Sequence, residues 1–184
     1  MFRNYPVKPN IACLIVIAII ITVCDQTSSS FLKPLVMRMR PSNLENPISP
    51  MVHIAFGYRG GRYGFPSSHA ANAWSMAFFA MYLAKRNKLT AFLMFWAFLM
   101  SYSRIYLGVH YPGDILVGTI IGFIGATLFY HIFRFFLKEY TDNYEPKSQP
   151  LIHARVPITV GTISIVLMLI ASGIMTYMNI SKYQ

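Results

Sequence analysis

Residues 103–137, SRIYLGVHYPGDILVGTIIGFIGATLFYHIFRFFL, run from a polar segment straight into an apolar one. From Ile115 onward the run has the length, about 20 residues, that an α-helix needs to cross the hydrocarbon of a bilayer. Directly before it stand Arg104, His110 and Asp114, three ionisable side chains at the mouth of a span. Ionisable groups are expensive to place in or against a membrane, so their position there is a signal of function.

The rest of the chain has the same character. It has 184 residues, is 55% hydrophobic with a mean hydropathy of +0.45, and only 12% of it is charged. A soluble domain carries roughly 25% charged residues. Segments 11–32, 67–84, 89–107 and 156–178 join 115–137 as candidate spans. Each is read as helical, because a lone strand leaves its backbone unpaired in lipid. The sequence therefore predicts an all-α polytopic transmembrane bundle of about five spans, a single integral membrane domain over 1–184. Its core is 11–137, with an additional span at 156–178.

The net charge of +10 is spread over loops and motifs instead of forming a basic stripe or a nucleic-acid module, so membrane lipids are the expected partner and nucleic acid is not. Cys13 and Cys24 sit on one helix about 16 Å apart, too far for a disulfide. The amino terminus, with Arg3, Lys8 and the run from Ile11, resembles a signal peptide but lacks a small-residue cleavage site, and is read as a retained span. The basic connection Lys85–Lys88, KRNK, is assigned to the cytoplasmic side. The other connections follow by alternation, with only a slight excess of basic residues inside.

On this layout three polar stretches reach the same membrane face. Lys33 and Arg40 follow the first span in KPLVMRMRP, residues 33–41. Ser67, Ser68 and His69 open the second in PSSH, Arg104 closes the third, and His110 and Asp114 precede or open the fourth. Residues 33–65, broken by Pro41, Pro47 and Pro50, form an interfacial loop, and Pro66 is placed in the first turn of the second span. The amides after it would then make an anion site at a helix N-terminus.

These residue types suit a phosphate ester. Transferring phosphoryl groups carry negative charge on their non-bridging oxygens, which cations and fixed donors stabilise. Lys33, Arg40 and Arg104 supply cations, and Ser67 and Ser68 supply hydroxyls and amides. Taken singly, each cation also suits headgroup anchoring or snorkelling. His110 and Asp114, four residues apart, allow a carboxylate to hold one imidazole nitrogen while the other attacks phosphorus. His69 is suited to protonate the leaving oxygen.

The pattern Lys33-x6-Arg40-Pro41, Pro66-Ser67-Ser68-His69 and Ser103-Arg104-x5-His110-x3-Asp114 closely resembles the type 2 phosphatidic acid phosphatase superfamily, over about 11–137. The resemblance implies a bacterial membrane lipid phosphatase that needs no metal or other cofactor. His110 would form a phosphohistidine, Asp114 would support it and His69 would act as acid, with Lys33, Arg40, Ser67, Ser68 and Arg104 on the phosphate oxygens. The implied substrate is a lipid phosphate or pyrophosphate: undecaprenyl pyrophosphate, phosphatidylglycerol phosphate, phosphatidic acid or lipid A phosphate. The implied location is the inner membrane with the site facing outward, and no obligatory protein partner is expected.

The sequence departs from the family in two ways. Ser68 stands where glycine is usual, which keeps the amide and adds a hydroxyl. Bacterial members also often have two spans before the one at 11–32, so either the chain starts late or its bundle differs. The rival activities are a phosphotransferase using the same intermediate and a catalytically idle anion-binding protein; a haloperoxidase fits a membrane chain poorly. Of the remaining polar residues, Asp25 either pairs with a site cation or caps the first span. Arg59, Arg62 and Tyr63 stand where a headgroup would arrive, and His53, His131 and His153 are read as structural or loop residues.

Overall fold

A computed structural model describes residues 7–84 and 87–142. Helix α1, Val7–Gln26, continues through a π-helical segment, Thr27–Leu32, into the short α2, Lys33–Val36. A long loop with two 3-10 turns, Ser49–Met51 and Ala55–Gly57, leads to α3, Ser68–Ala84. Helices α4, Asn87–Tyr106, and α5, Pro112–Asp142, complete the described chain. Among the described residues there is no strand, only one antiparallel bridge between Met39 and Tyr63.

Among the described residues, two stretches are long and apolar enough to cross a membrane: Ile11–Val36, with mean hydropathy 2.1, and Pro112–Phe136, with 1.9. The expected spans 67–84 and 89–107 are helices in the same bundle, whereas the expected span at 156–178 lies outside the described residues. Large apolar side chains point outward along three helices, among them Leu14 and Ile15 on α1, Phe95 and Phe98 on α4, and Leu116 and Ile124 on α5. So much exposed apolar surface is foreign to a monomer in water.

The seam between α3 and α5 sets the site. A Cβ on Gly118 would lie 2.5 Å from the Ser67 carbonyl oxygen, and one on Gly122 would lie 2.6 Å from that of Ala71. Opposite them α3 offers Ala70, Ala71 and Ser75, all fully buried, so the two backbones pack without intervening side chains. The second apolar cluster, Ala73, Ala77 and Ala97 with Trp74 and Leu93, joins α3 to α4. There Trp74 Nε1 donates to Ser101 Oγ at 3.0 Å.

Three local features differ from the expectations. Pro66 precedes α3 and does not fill its first turn. Ser67 is the cap instead, its Oγ accepting the Ala70 N–H at 3.3 Å. Helix α5 begins ahead of the expected 115, at Pro112, a residue suited to an opening turn because its missing N–H has no partner to lose, while Asp114 lies in the first turn as expected. The π-helical turn before Lys33 has no periodic signature in TSSSFL, where small polar residues carry no apolar stripe to phase.

Candidate active site

The close α3–α5 seam brings the second and third motifs together. The Ser67 N–H donates to the Asp114 carbonyl at 3.0 Å, tying the N-terminus of α3 to the first turn of α5. The Asp114 side chain is fully buried, and its Oδ2 accepts from the Tyr111 N–H at 2.9 Å and from His110 Nδ1 at 3.2 Å. That pairing assigns the proton to Nδ1 and leaves Nε2 of His110 as the acceptor nitrogen. Gly64 passes over the pair so closely that a Cβ there would sit 3.1 Å from Asp114 Oδ2.

The first motif delivers its cations from the other side. Arg40 is held by three bonds besides its own N–H: Nε to the Tyr63 carbonyl at 3.2 Å, Nη1 to the Val109 carbonyl at 3.4 Å, and Nη1 against His110 Nε2 at 3.3 Å. The nitrogen expected to attack phosphorus therefore rests against a guanidinium. Lys33 Nζ lies 3.2 Å from Ser68 Oγ and 3.4 Å from Ser29 Oγ, so the π-helical turn and the first turn of α3 share one ammonium.

His69 and Arg104 complete the group without a hydrogen bond to it. His69 is exposed at the start of α3, and the charges of Arg104, Lys33 and Arg40 all reach it. Arg104, in the last turn of α4, donates through Nε to Ser103 Oγ at 3.2 Å. Ser67 is more committed than expected, with its amide on Asp114 and its oxygen capping α3. The N–H groups of Ser68 and His69, in the first turn of α3, have no intrahelical acceptor, as at any helix N-terminus.

Electrostatics fit a neutral nucleophile among cations. Burial, then the charges of Arg40, Lys33 and His69, push the His110 imidazole down to about 3. Burial also pulls the Arg40 guanidinium below its usual range, where it stays charged at neutral pH.

One residue of this assembly was not singled out in the sequence. Arg38 forms an ion pair with Asp114 Oδ1, the oxygen that His110 does not use. Its position inside the x6 of the first motif hid it, although Arg38-Met39-Arg40 is an alternating pair that an extended segment would aim to one side. Of the loop residues, Arg59 holds the Ser42 carbonyl at 2.7 Å and Ser49 Oγ at 3.0 Å, and Arg62 pairs with Glu45 at 2.8 Å. Both serve the loop in this state.

Over 132 residues the chain is 49% identical to a lipid A 4'-phosphatase of Bacteroides thetaiotaomicron, covering 72% of this chain and 59% of that protein. It is 32% identical over 166 residues to a lipid A 4'-phosphatase of Porphyromonas gingivalis, covering 90% of this chain and 70% of the relative. The chain thus spans less than two thirds of the first relative's length. No solved structure matches it. The family model of the PAP2 superfamily matches residues 10–138, the stretch that holds all three motifs and the α3–α5 seam, and the chain belongs to that superfamily.

Proposed function

We propose that this chain is a membrane lipid phosphatase acting on a phosphomonoester of lipid A through a phosphohistidine at His110. The observation that carries the reading is the buried His110, its Nδ1 on Asp114 and its Nε2 against Arg40, within a ring of cations. The names of the two relatives support the substrate class. In this reading the bundle has five spans, counting 156–178, in one domain of the bacterial inner membrane. The site opens outward at the interface, where a headgroup enters while its acyl chains stay among the helices.

Binding places the phosphate oxygens among Lys33, Arg40, Arg104, the Ser68 hydroxyl and the first-turn amides of α3. Arg40 moves its Nη1 contact from His110 Nε2 to an oxygen, which frees the lone pair. Nε2 attacks phosphorus, the N–P bond forming as the ester P–O bond breaks, and His69 gives a proton to the departing lipid oxygen. Asp114 faces the positive charge that the phosphorylated ring acquires. Water, giving its proton to His69, then attacks phosphorus; the P–N bond breaks, its electron pair returns to Nε2, and orthophosphate leaves. Every step uses groups of this chain, and the reaction is proposed to need no metal.

The test is orthophosphate release from purified lipid A by the detergent-purified chain, with a chelator present and His110→Ala beside it. Release by the wild type alone supports the reading. Loss of phosphate from lipid A only with an acceptor lipid present, the group appearing on that lipid and not as orthophosphate, favours the phosphotransferase; release abolished by the chelator removes the metal-free mechanism; and release from another lipid in place of lipid A removes the substrate assignment.

A further inference from the structure

Arg38 has no role in the reaction as set out above, yet its surroundings are as specific as those of the motif residues. It lies two residues from Arg40 on the short extended segment that bridges Met39 to Tyr63, and residues two apart on such a segment face the same way. Met37, immediately before it, adopts a left-handed conformation with φ 52° that ends α2 and turns the chain toward the site. The Arg38 carbonyl then accepts the Gly64 N–H at 2.9 Å.

The guanidinium of Arg38 stacks 4.5 Å from the centre of the Phe65 ring and 5.2 Å from that of Tyr111. Phe65 immediately precedes the second motif, and Tyr111 follows His110 in the third. From between the rings it pairs with Asp114 Oδ1. The Asp114 side chain is 0% exposed and that of Arg38 is 38% exposed, so the pair joins a sealed carboxylate to the open face. Its two oxygens face separate partners: Oδ2 accepts from His110 Nδ1 and the Tyr111 amide, and Oδ1 is ion-paired with Arg38. Arg38 and Arg40 thus grip opposite ends of the Asp114–His110 couple, one at the carboxylate and the other at Nε2.

We infer that Arg38 is a positioning residue for the reaction: by holding Asp114 Oδ1 it fixes the carboxylate that orients the nucleophilic imidazole. This rests on the phosphatase reading. A buried carboxylate with one oxygen unpartnered would turn or take up water, and the imidazole it aims would follow. Misplacing a reacting group by about 1 Å lowers rate by about 100-fold. The stack on Phe65 and Tyr111 limits the motion of Arg38 itself.

The test uses the detergent-purified full chain and its Arg38→Ala, Arg38→Lys, Arg40→Ala and Asp114→Asn variants, with a lipid phosphate as substrate and orthovanadate as a mimic of the transferring phosphoryl group. Arg38→Ala is expected to lower kcat by about 10- to 100-fold while KM and vanadate inhibition stay within about twofold. Arg38→Lys should fall between Arg38→Ala and the wild type, and guanidinium ion added to Arg38→Ala should restore part of kcat. Arg40→Ala should weaken vanadate inhibition.

Loss of vanadate affinity in Arg38→Ala equal to that in Arg40→Ala overturns the assignment, making Arg38 a phosphate ligand. Unchanged kcat in Arg38→Ala overturns it as well. A wild type that releases no phosphate from any lipid contradicts the phosphatase reading instead. The Arg38 pairing is then decided by thermal unfolding of the wild type, both single variants and the Arg38→Ala/Asp114→Asn double variant. Coupled shifts in Tm support the pair, and additive shifts overturn it.

Discussion

The two halves of the site are built by different means. His110, Asp114, Ser67 and His69 sit on or beside the ends of α3 and α5, whose backbones touch along Gly118 and Gly122. Lys33, Arg38 and Arg40 come from the short α2 that follows the π-helical turn and from the loop after it, which is fastened by bonds such as Arg40 N–H to the Arg62 carbonyl at 3.1 Å. The helix-borne half fixes the angle between nucleophile and acid. The loop-borne half brings positive charge up to them, Arg38 at Asp114 Oδ1 and Arg40 at His110 Nε2.

If that division holds, damage to the two halves should have different signatures. The largest effect is expected of His110→Ala, which removes the attacking nitrogen: phosphate release should fall by about 10⁴-fold or more, with thermal stability and elution from a sizing column little changed. Next is Gly118→Val. Its Cβ would meet the Ser67 carbonyl at 2.5 Å, so the seam must open and carry Ser67 away from Asp114. Both Tm and activity should drop, whereas Arg40→Ala in the loop should reduce kcat/KM by about 100-fold with Tm nearly unchanged. Equal losses of Tm in these two variants would erase the distinction between the halves.

The pH dependence sharpens the comparison. A buried imidazole pushed down to about 3 binds fewer protons than its unfolded form between that value and 6.5. Stability should therefore be fully present above 6.5 and decline as pH falls toward 3. The decline in Tm over that range should be shallower in His110→Asn than in the wild type, and parallel curves would contradict the neutral, buried histidine. The smallest effect is expected of Ser67→Ala. Loss of its bond to the Ala70 N–H should cost about 1 kcal/mol, read from denaturation of the purified chain.

Much of this was legible in the sequence because charge stands out against an apolar background. His110, Asp114, His69, Lys33, Arg40 and Arg104 were conspicuous for that reason, and the order of helices followed from the length of the runs between them. What escaped was what depends on three dimensions. Arg38 looked like one more loop cation, since nothing local says that its partner lies 76 positions further on. The Ser67 hydroxyl and amide looked available, but the approach of α5 engages the amide and the cap of α3 engages the hydroxyl. The seam had a signal, Gly118-x3-Gly122, the small-residue spacing that lets helices touch. The π-helical turn had none.

The central claim is that His110, oriented by Asp114, takes the phosphoryl group. Its most direct measurement is a rapid quench of the purified chain with lipid A labelled at phosphorus, followed by mapping of the labelled peptide. The account predicts a transient label, acid-labile and base-stable, on the peptide containing His110 and missing from His110→Ala. A label on any other residue, or phosphate released by His110→Ala at the wild-type rate, would contradict it.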